Sequence, residues 1–292
     1  MSGPLKDLAR TFDRVADAYD EGRPGYPDEV YRAMTEVSGV ELDGATTVDV
    51  GAGTGIMTRA LRARGSRVIA VDPGEPMLAH LVAKSGGRGA GRGRAQDERG
   101  RARRAGQGTG QAGQGGGEDG YAGGEEAPLA AVLGDGNALP LTDGVADLVM
   151  YAQSWHWLDP AASIAEARRV LRPGGAIVGC WNFNHASQAD WLAAYETRLA
   201  EEVPTYYGPA VEEWSVPPIA SAFEVVGERW IPWTRLVGIE HFLLDLRSHS
   251  YMAALSPERA DEVVARRRAE LRAAFPEGVL SVPMRVYLAV GR

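Results

Sequence analysis

Cysteine is nearly absent: Cys180 alone among 292 residues. A framework of disulfides is therefore excluded. Cys180 stands in the apolar run "AIVGCWN" and is expected to be a small buried core residue. Long apolar runs are missing as well. No stretch approaches the ~18 residues that cross a bilayer, and the N-terminal "MSGPLKDLAR" has no apolar targeting core. These absences lead to the expectation of a soluble cytoplasmic protein. Positive charge is in deficit: 31 Lys and Arg stand against 39 Asp and Glu, a net charge of −8. That balance speaks against binding nucleic acid through its phosphates. No metal site and no membrane partner are expected, and the oligomeric state is not legible.

Hydrophobic residues make up 45% of the chain, enough for a substantial core in one domain spanning residues 1–292. Within it, residues 86–126 stand apart. They hold 16 of the 37 glycines and seven arginines against six acids. Such a segment cannot bury enough apolar surface to offset its ordering entropy, so a disordered insertion is expected there. Short valine-rich runs flank it: residues 46–51, 67–72, 130–135, 146–153 and 176–182. Near-continuous apolar strands suit a parallel sheet covered on both faces. Helical patterns alternate with them. Residues 57–65 end on Gly65, and the helix after Asp159 has an N-cap, Pro160 at its first position and a Pro-Gly-Gly stop. The expected fold is therefore α/β, a doubly wound and mostly parallel sheet. Further on, a helix is expected over about 190–203, a Pro- and Trp-rich stretch to Trp233, a long helix from Ser256, and a last strand over 284–290.

The stretch "VDVGAGTGIMT" follows the first strand and places Gly51, Gly53 and Gly55 on alternate positions behind Asp49. In a doubly wound sheet this loop lies where ligands bind. The dinucleotide fingerprint puts its third glycine one position later, where this chain has Ile56. A pyrophosphate ligand is therefore disfavoured. Asp72 ends the second strand, placed to accept bonds from two ribose hydroxyls. Asp135 in "GDGNALP" can take an adenine amino group. The fourth strand ends in "AQSWHWLD".

The set "VDVGAGTG", "VDPGEPML", "GDGNALPLTDGVADLV", "QSWHWLD" and "EARRVLRPGGAIV" resembles the class I S-adenosylmethionine-dependent methyltransferases. Within them it resembles the small-molecule branch called methyltransferase type 11. The segment "FDRVADAYDEGRPGYP" and the "SWHW" run resemble a subgroup near the trans-aconitate methyltransferases. The likeness is strong over residues 12–85 and 129–182 and loose beyond. It implies a seven-stranded sheet, an N-terminal lid over residues 1–27, and acceptor-pocket helices and loops within 183–260. It implies S-adenosylmethionine as cofactor. Asp49 would organise the loop and reach the methionine ammonium, while Gly51, Ala52, Gly53 and Gly55 let the backbone approach. Asp72 would hold the ribose and Met77 flank the adenine, although Met77 also suits a core position. Asp135, Gly136 and Asn137 would border the adenine amino group, with Asn137 equally suited to a turn. Gln153 would lie near the methionine end and the acceptor.

Transfer from a sulfonium chiefly needs an oriented acceptor and a dry site. A carboxylate acceptor needs no base, whereas a phenol, amine or carbon acid can need one. His156, flanked by Trp155 and Trp157, is the expected base. Tyr19, Arg23 and Trp157 are the expected acceptor contacts, with Arg23 suited to an acidic group. His241, His249 and Tyr251 are weaker candidates for the same pocket. The acceptor is expected to be a small molecule. Two other readings stay open: a nucleic-acid methyltransferase, and a binding module that kept the fold. Enzymes acting on base amino groups resemble one another in an Asn/Asp-Pro-Pro-aromatic motif where this chain has "AQSW".

Overall fold

A computed structural model describes residues 20–86, 127–206 and 223–292. Tyr19, nearly all of the 86–126 insertion and the first part of the expected lid lie outside these residues. The described chain runs α1 (Asp28–Ser38), β1 (Thr46–Val50), α2 (Ile56–Arg62), β2 (Arg67–Asp72), α3 (Glu75–Lys84), β3 (Leu129–Leu133), β4 (Ala146–Ala152), α4 (Pro160–Val170), β5 (Leu171–Asn184), α5 (Asp190–Glu202), β6 (Val225–Gly238), α6 (Ile239–Ser248), α7 (Ser250–Ala253), α8 (Pro257–Ala274) and β7 (Val279–Gly291).

The strands form one seven-stranded sheet in the order β3-β2-β1-β4-β5-β7-β6. The first five pair in parallel, while β7 is antiparallel to both β5 and β6. The strand order reverses between β1 and β4. Their carboxyl ends carry the glycine loop and Gln153, so the two motifs meet at the switch point. Two apolar clusters cover the two faces of the sheet. On one, Tyr31 and Met34 of α1 pack with Leu61, Met150, Val178 and Leu288. On the other, Ile164 and Val170 of α4 pack with Val149, Tyr151 and Trp181. A third cluster holds α5, α6 and α8 against the far ends of β6 and β7, through Leu199, Leu243, Val263 and Val282. This helical layer stands next to the carboxyl edge of the parallel strands.

Local chemistry accounts for the ends of several elements. Asp159 Oδ1 accepts from the Ala162 amide at 2.9 Å, and Ser256 Oγ accepts from Arg259 at 3.3 Å, as helix N-caps. Replacing Asp159 with Ala should cost about 1 kcal/mol, measurable as a lowered urea midpoint. Pro173, Gly174 and Gly175, the expected stop after α4, lie inside β5, which starts at Leu171 and shifts register opposite Ala146–Leu148. Strand β6, absent from the sequence expectation, is an edge strand, where Pro232 is tolerated. No helix among the described residues is long and apolar enough to cross a membrane. Cys180 is buried and unpaired, and burial pushes its thiol pKa up.

Candidate active site

The glycine loop begins where β1 ends. The amides of Gly51 and Ala52 donate to Val71 of β2, at 2.8 and 3.2 Å. All three glycines have positive φ: 71° at Gly51, 55° at Gly53 and 89° at Gly55. Only glycine takes that backbone without cost. Their surroundings differ. A Cβ on Gly51 would fall 2.5 Å from Ser154, and one on Gly55 would fall 2.6 Å from Leu81. A Cβ on Gly53 would meet none of the described residues within 4 Å. Gly51 and Gly55 are bare because protein fills the space, and Gly53 is bare beside an open cleft.

Asp49 lies under this loop and is 1% exposed. Its Oδ2 accepts from Thr58 Oγ1 at 2.6 Å. Its Oδ1 is buried without a hydrogen-bond partner among the described residues. Burial pushes the carboxyl pKa up to about 6, against the Thr58 bond, which lowers it. A buried, unmatched carboxylate oxygen costs stability and calls for a cation or a donor. Gln153, at the end of β4, is the only described non-glycine residue with positive φ, at 58°. Its Nε2 donates to the Asn182 carbonyl at 2.9 Å. Such backbone persists where the surroundings over-determine it, typically at a ligand site.

Asp72 is 9% exposed at the end of β2. Both its oxygens take backbone donors, the Gly53 amide at Oδ2 and the Gly74 amide at Oδ1, each at 2.8 Å. It is thus tied into the loop rather than standing free at the strand end. Asp135 is exposed, and its Oδ1 accepts from both the backbone and side-chain nitrogens of Asn137 at 2.9 Å. Asn137 in turn accepts from the Asp159 amide at 2.8 Å. That network makes Asn137 a turn residue that orients Asp135. Gly136 packs so closely on Val50 that a Cβ would lie 2.7 Å away. Met77 is 4% exposed on α3, and neither it nor Asp72, Asp135, Gly136 or Asn137 lines the cavity that reaches Asp49, Gly51, Ala52, Gly53 and Gln153.

From Asp49, Ala52 and Gly53 a single cavity runs past Gln153 to the helical layer. The residues 20–26 strap across it. Arg59 donates to Asp20 and to the Thr54 carbonyl, both at 2.6 Å, pinning the strap to the glycine loop. At the other end the Gly22 carbonyl accepts from Arg235 at 2.6 Å, and Asn182 donates to the Gly25 carbonyl at 3.0 Å.

The methyltransferase domain family matches this chain over residues 48–98 and 117–179, the stretch carrying the loop, Asp72, Asp135 and Gln153. Over those residues the chain is similar to a methyltransferase domain, on a fold shared with class I enzymes. An uncharacterised methyltransferase of Mycobacterium tuberculosis is 28% identical over 276 residues, covering 94% of this chain and 91% of that protein. A demethylmenaquinone methyltransferase of Mycolicibacterium paratuberculosis is 25% identical over 252 residues, covering 80% and 90%. Among solved structures, one described as a type II methyltransferase from Anaeromyxobacter dehalogenans superposes with a TM-score of 0.60 at 21% identity, over 92% of this chain and 97% of that one. Class I enzymes take the methyl group from S-adenosylmethionine, and the residues present fit that donor: the unmatched Asp49 oxygen suits an ammonium, and the space at Gly53 admits a ligand.

The far wall of the methyltransferase cavity differs from the sequence expectation. His156 is exposed in a short 3-10 turn, Trp155–Trp157, its ring tilted against Trp157 with centroids 4.8 Å apart. Neither ring lines the cavity. Trp155 is the one turned inward, donating to Ser163 at 3.1 Å. Arg23 does line the cavity, donating to Ser248 Oγ at 3.0 Å. His249 and Tyr251 line it too, their rings stacked at 4.8 Å. His241 is outside it. The sequence reasoning did not name Asp245, which sits among Arg23, Arg235 and His249 at 3.5, 3.0 and 3.5 Å. Its only signal was the i, i+4 spacing to His249. Among the described residues no cluster of His, Cys, Asp or Glu is arranged to hold a metal ion.

The glycine assignments can be separated by substitution. Gly53→Ala should fold with a loss of about 1–2 kcal/mol, the cost of a Cβ in left-handed backbone. It should weaken S-adenosylmethionine binding tenfold or more, because the methyl enters the cleft. Gly51→Ala should melt far lower, since it also collides with Ser154. Calorimetry and thermal unfolding decide the matter, and unaltered affinity in Gly53→Ala would remove that residue from the donor site.

Proposed function

We propose that the protein moves a methyl group from S-adenosylmethionine to a small-molecule acceptor that presents a carboxylate or a hydroxyl. One observation carries this reading. A single cavity joins the unmatched oxygen of Asp49 to a polar wall in the helical layer, under the strap of residues 20–26. Donor and acceptor ends are thereby covered by the same segment, as exclusion of water requires. One relative is named for a small-molecule acceptor, demethylmenaquinone, which accords with the size of the acceptor.

The sulfonium supplies a methyl group already activated for displacement. Asp49 would hold the methionine ammonium, directly or through water. Asp72 would accept from the ribose with the lone pairs its backbone bonds leave over. Asp135, oriented by Asn137, would take the adenine amino group. Gln153, held by Asn182, would stand between donor and acceptor. Arg23 would face the acceptor.

The test is calorimetry with S-adenosylmethionine, followed by incubation of isotopically labelled donor with a metabolite extract and with RNA. Binding plus label in small molecules is the expected result. Label in RNA alone would overturn the acceptor class, and binding without turnover would favour a module that kept the fold.

A further inference from the structure

Resting on that reading, we propose that His249, positioned by Asp245, is the base of the reaction, and that the acceptor is therefore a molecule bearing an ionisable hydroxyl. The argument starts from the cavity wall. Among the described residues that line the cavity, His249 is the one imidazole. Its Nε2 faces Asp245 Oδ1 at 3.5 Å, and its side chain is 25% exposed. Asp245 Oδ1 makes no hydrogen bond among the described residues, and a carboxylate at this distance favours the proton on Nε2 and leaves the other nitrogen, Nδ1, as the proton acceptor. Stacking on Tyr251 fixes the ring plane.

The charged and titratable groups around the ring come from several elements. Asp245 belongs to α6, Arg235 to β6 and Arg23 to the strap, while Tyr251 and Tyr206 stand alongside. Burial works to raise the Asp245 pKa, but His249, Arg23 and Arg235 outweigh it and hold the group ionised. Burial and the Arg23 charge hold His249 below the usual imidazole range, despite Asp245. A neutral imidazole beside an ionised carboxylate is the resting state a base needs at neutral pH. A carboxylate acceptor would leave this pair without use.

The proton of the acceptor hydroxyl passes to His249 Nδ1, and the electron pair it leaves becomes the new bond from oxygen to the methyl carbon. The carbon–sulfur pair remains on sulfur, which becomes a neutral thioether. The imidazolium then returns its proton to water.

The first test needs no turnover. Side-chain NMR of the five histidines, with His249 assigned by its loss in His249→Gln, should show His249 titrating below pH 6.5, its ordinary value. Arg23→Gln should move that midpoint up and Asp245→Asn should move it down. The second test uses labelled S-adenosylmethionine and a panel of simple phenols, enols, amines and carboxylates. Only hydroxyl acceptors should be methylated. His249→Gln should lower kcat at least 100-fold while donor affinity stays within a few fold. A midpoint at or above 6.5, transfer to carboxylates alone, transfer to no panel member, or undiminished kcat in His249→Gln would overturn the proposal. Failure of the wild type to bind S-adenosylmethionine would instead overturn the underlying reading, and calorimetry tells the two apart.

Discussion

Asp49→Asn should bind S-adenosylmethionine about 100-fold more weakly than the wild type, yet unfold at a higher temperature at pH 7. Both effects come from one buried oxygen. Burial moves the carboxyl from 3.8 to about 6 in the folded protein. Ionised, it therefore costs the unliganded fold about 3 kcal/mol. The sign is that of a raised acid. Below about pH 4 the group is protonated in both folded and unfolded states and costs nothing. The penalty accumulates as pH rises from 3.8 to about 6, and is complete above. An amide keeps the Thr58 contact without the charge, so the variant escapes the penalty. It also loses the counter-charge for the ammonium, a loss of about 2–5 kcal/mol for a buried charged contact. The same linkage makes wild-type affinity depend on pH. A bound cation draws the carboxyl pKa down, so binding releases a proton below about pH 6. Affinity should then fall toward tenfold per pH unit between pH 6 and 5, and Asp49→Asn should lack that slope. Calorimetry at pH 5 to 8 reads both. A flat wild-type profile would show that Asp49 does not meet the ammonium.

Asp72→Ala should lose both stability and donor binding. A free strand-end carboxylate would affect binding alone. Here the carboxylate holds the Gly53 and Gly74 amides at 2.8 Å. Bonds to a charged acceptor are worth about 1.5–3 kcal/mol each, and leaving buried amides unpaired costs in the same range. Partial exposure lets water recover some of this, so a loss of about 2–4 kcal/mol is expected. S-adenosylmethionine affinity should fall tenfold or more, both from the missing acceptor and from the loosened loop. Asp72→Asn keeps an acceptor oxygen and should fall between. Thermal unfolding that matches the wild type would show that the loop does not depend on these bonds. Unchanged affinity would take Asp72 out of the donor site.

The parallel half of the sheet and the glycine loop were legible because their signals are local. Strand β1 has four buried residues in five, so its apolar run is continuous. Asp159 and Ser256 cap helices through bonds three residues away, within reach of a sequence pattern. The glycine loop needs positive φ at alternate positions, which only glycine supplies cheaply. The edge strand β6 was not legible. Among the described residues it is an edge strand whose burial alternates from Ile231 to Val237, but Trp230 and Leu236 stand on the exposed side, Arg235 on the other, and Pro232 interrupts the run, so the residue types do not repeat the alternation. Helix α6 follows that strand directly, with Gly238 alone both ending the strand and capping the helix.

The sequence by itself determined the class of fold, and it placed the glycine loop and the acids Asp49, Asp72 and Asp135 in or just after strands that hydrophobic pattern reveals. It pointed to His156 because that residue closes β4. Only the tertiary structure decided which histidine meets the cavity. The turn after β4 spends its inward position on Trp155, whose ring needs burial and a partner for its N–H, and His156 is left exposed. His249 reaches the cavity because the β6–β7 ribbon carries the helical layer back over the carboxyl edge of the sheet, bringing Asp245, Arg23 and His249 together. No local pattern encodes that meeting. It depends on apolar burial among α5, α6 and α8, far along the chain from the strands they face.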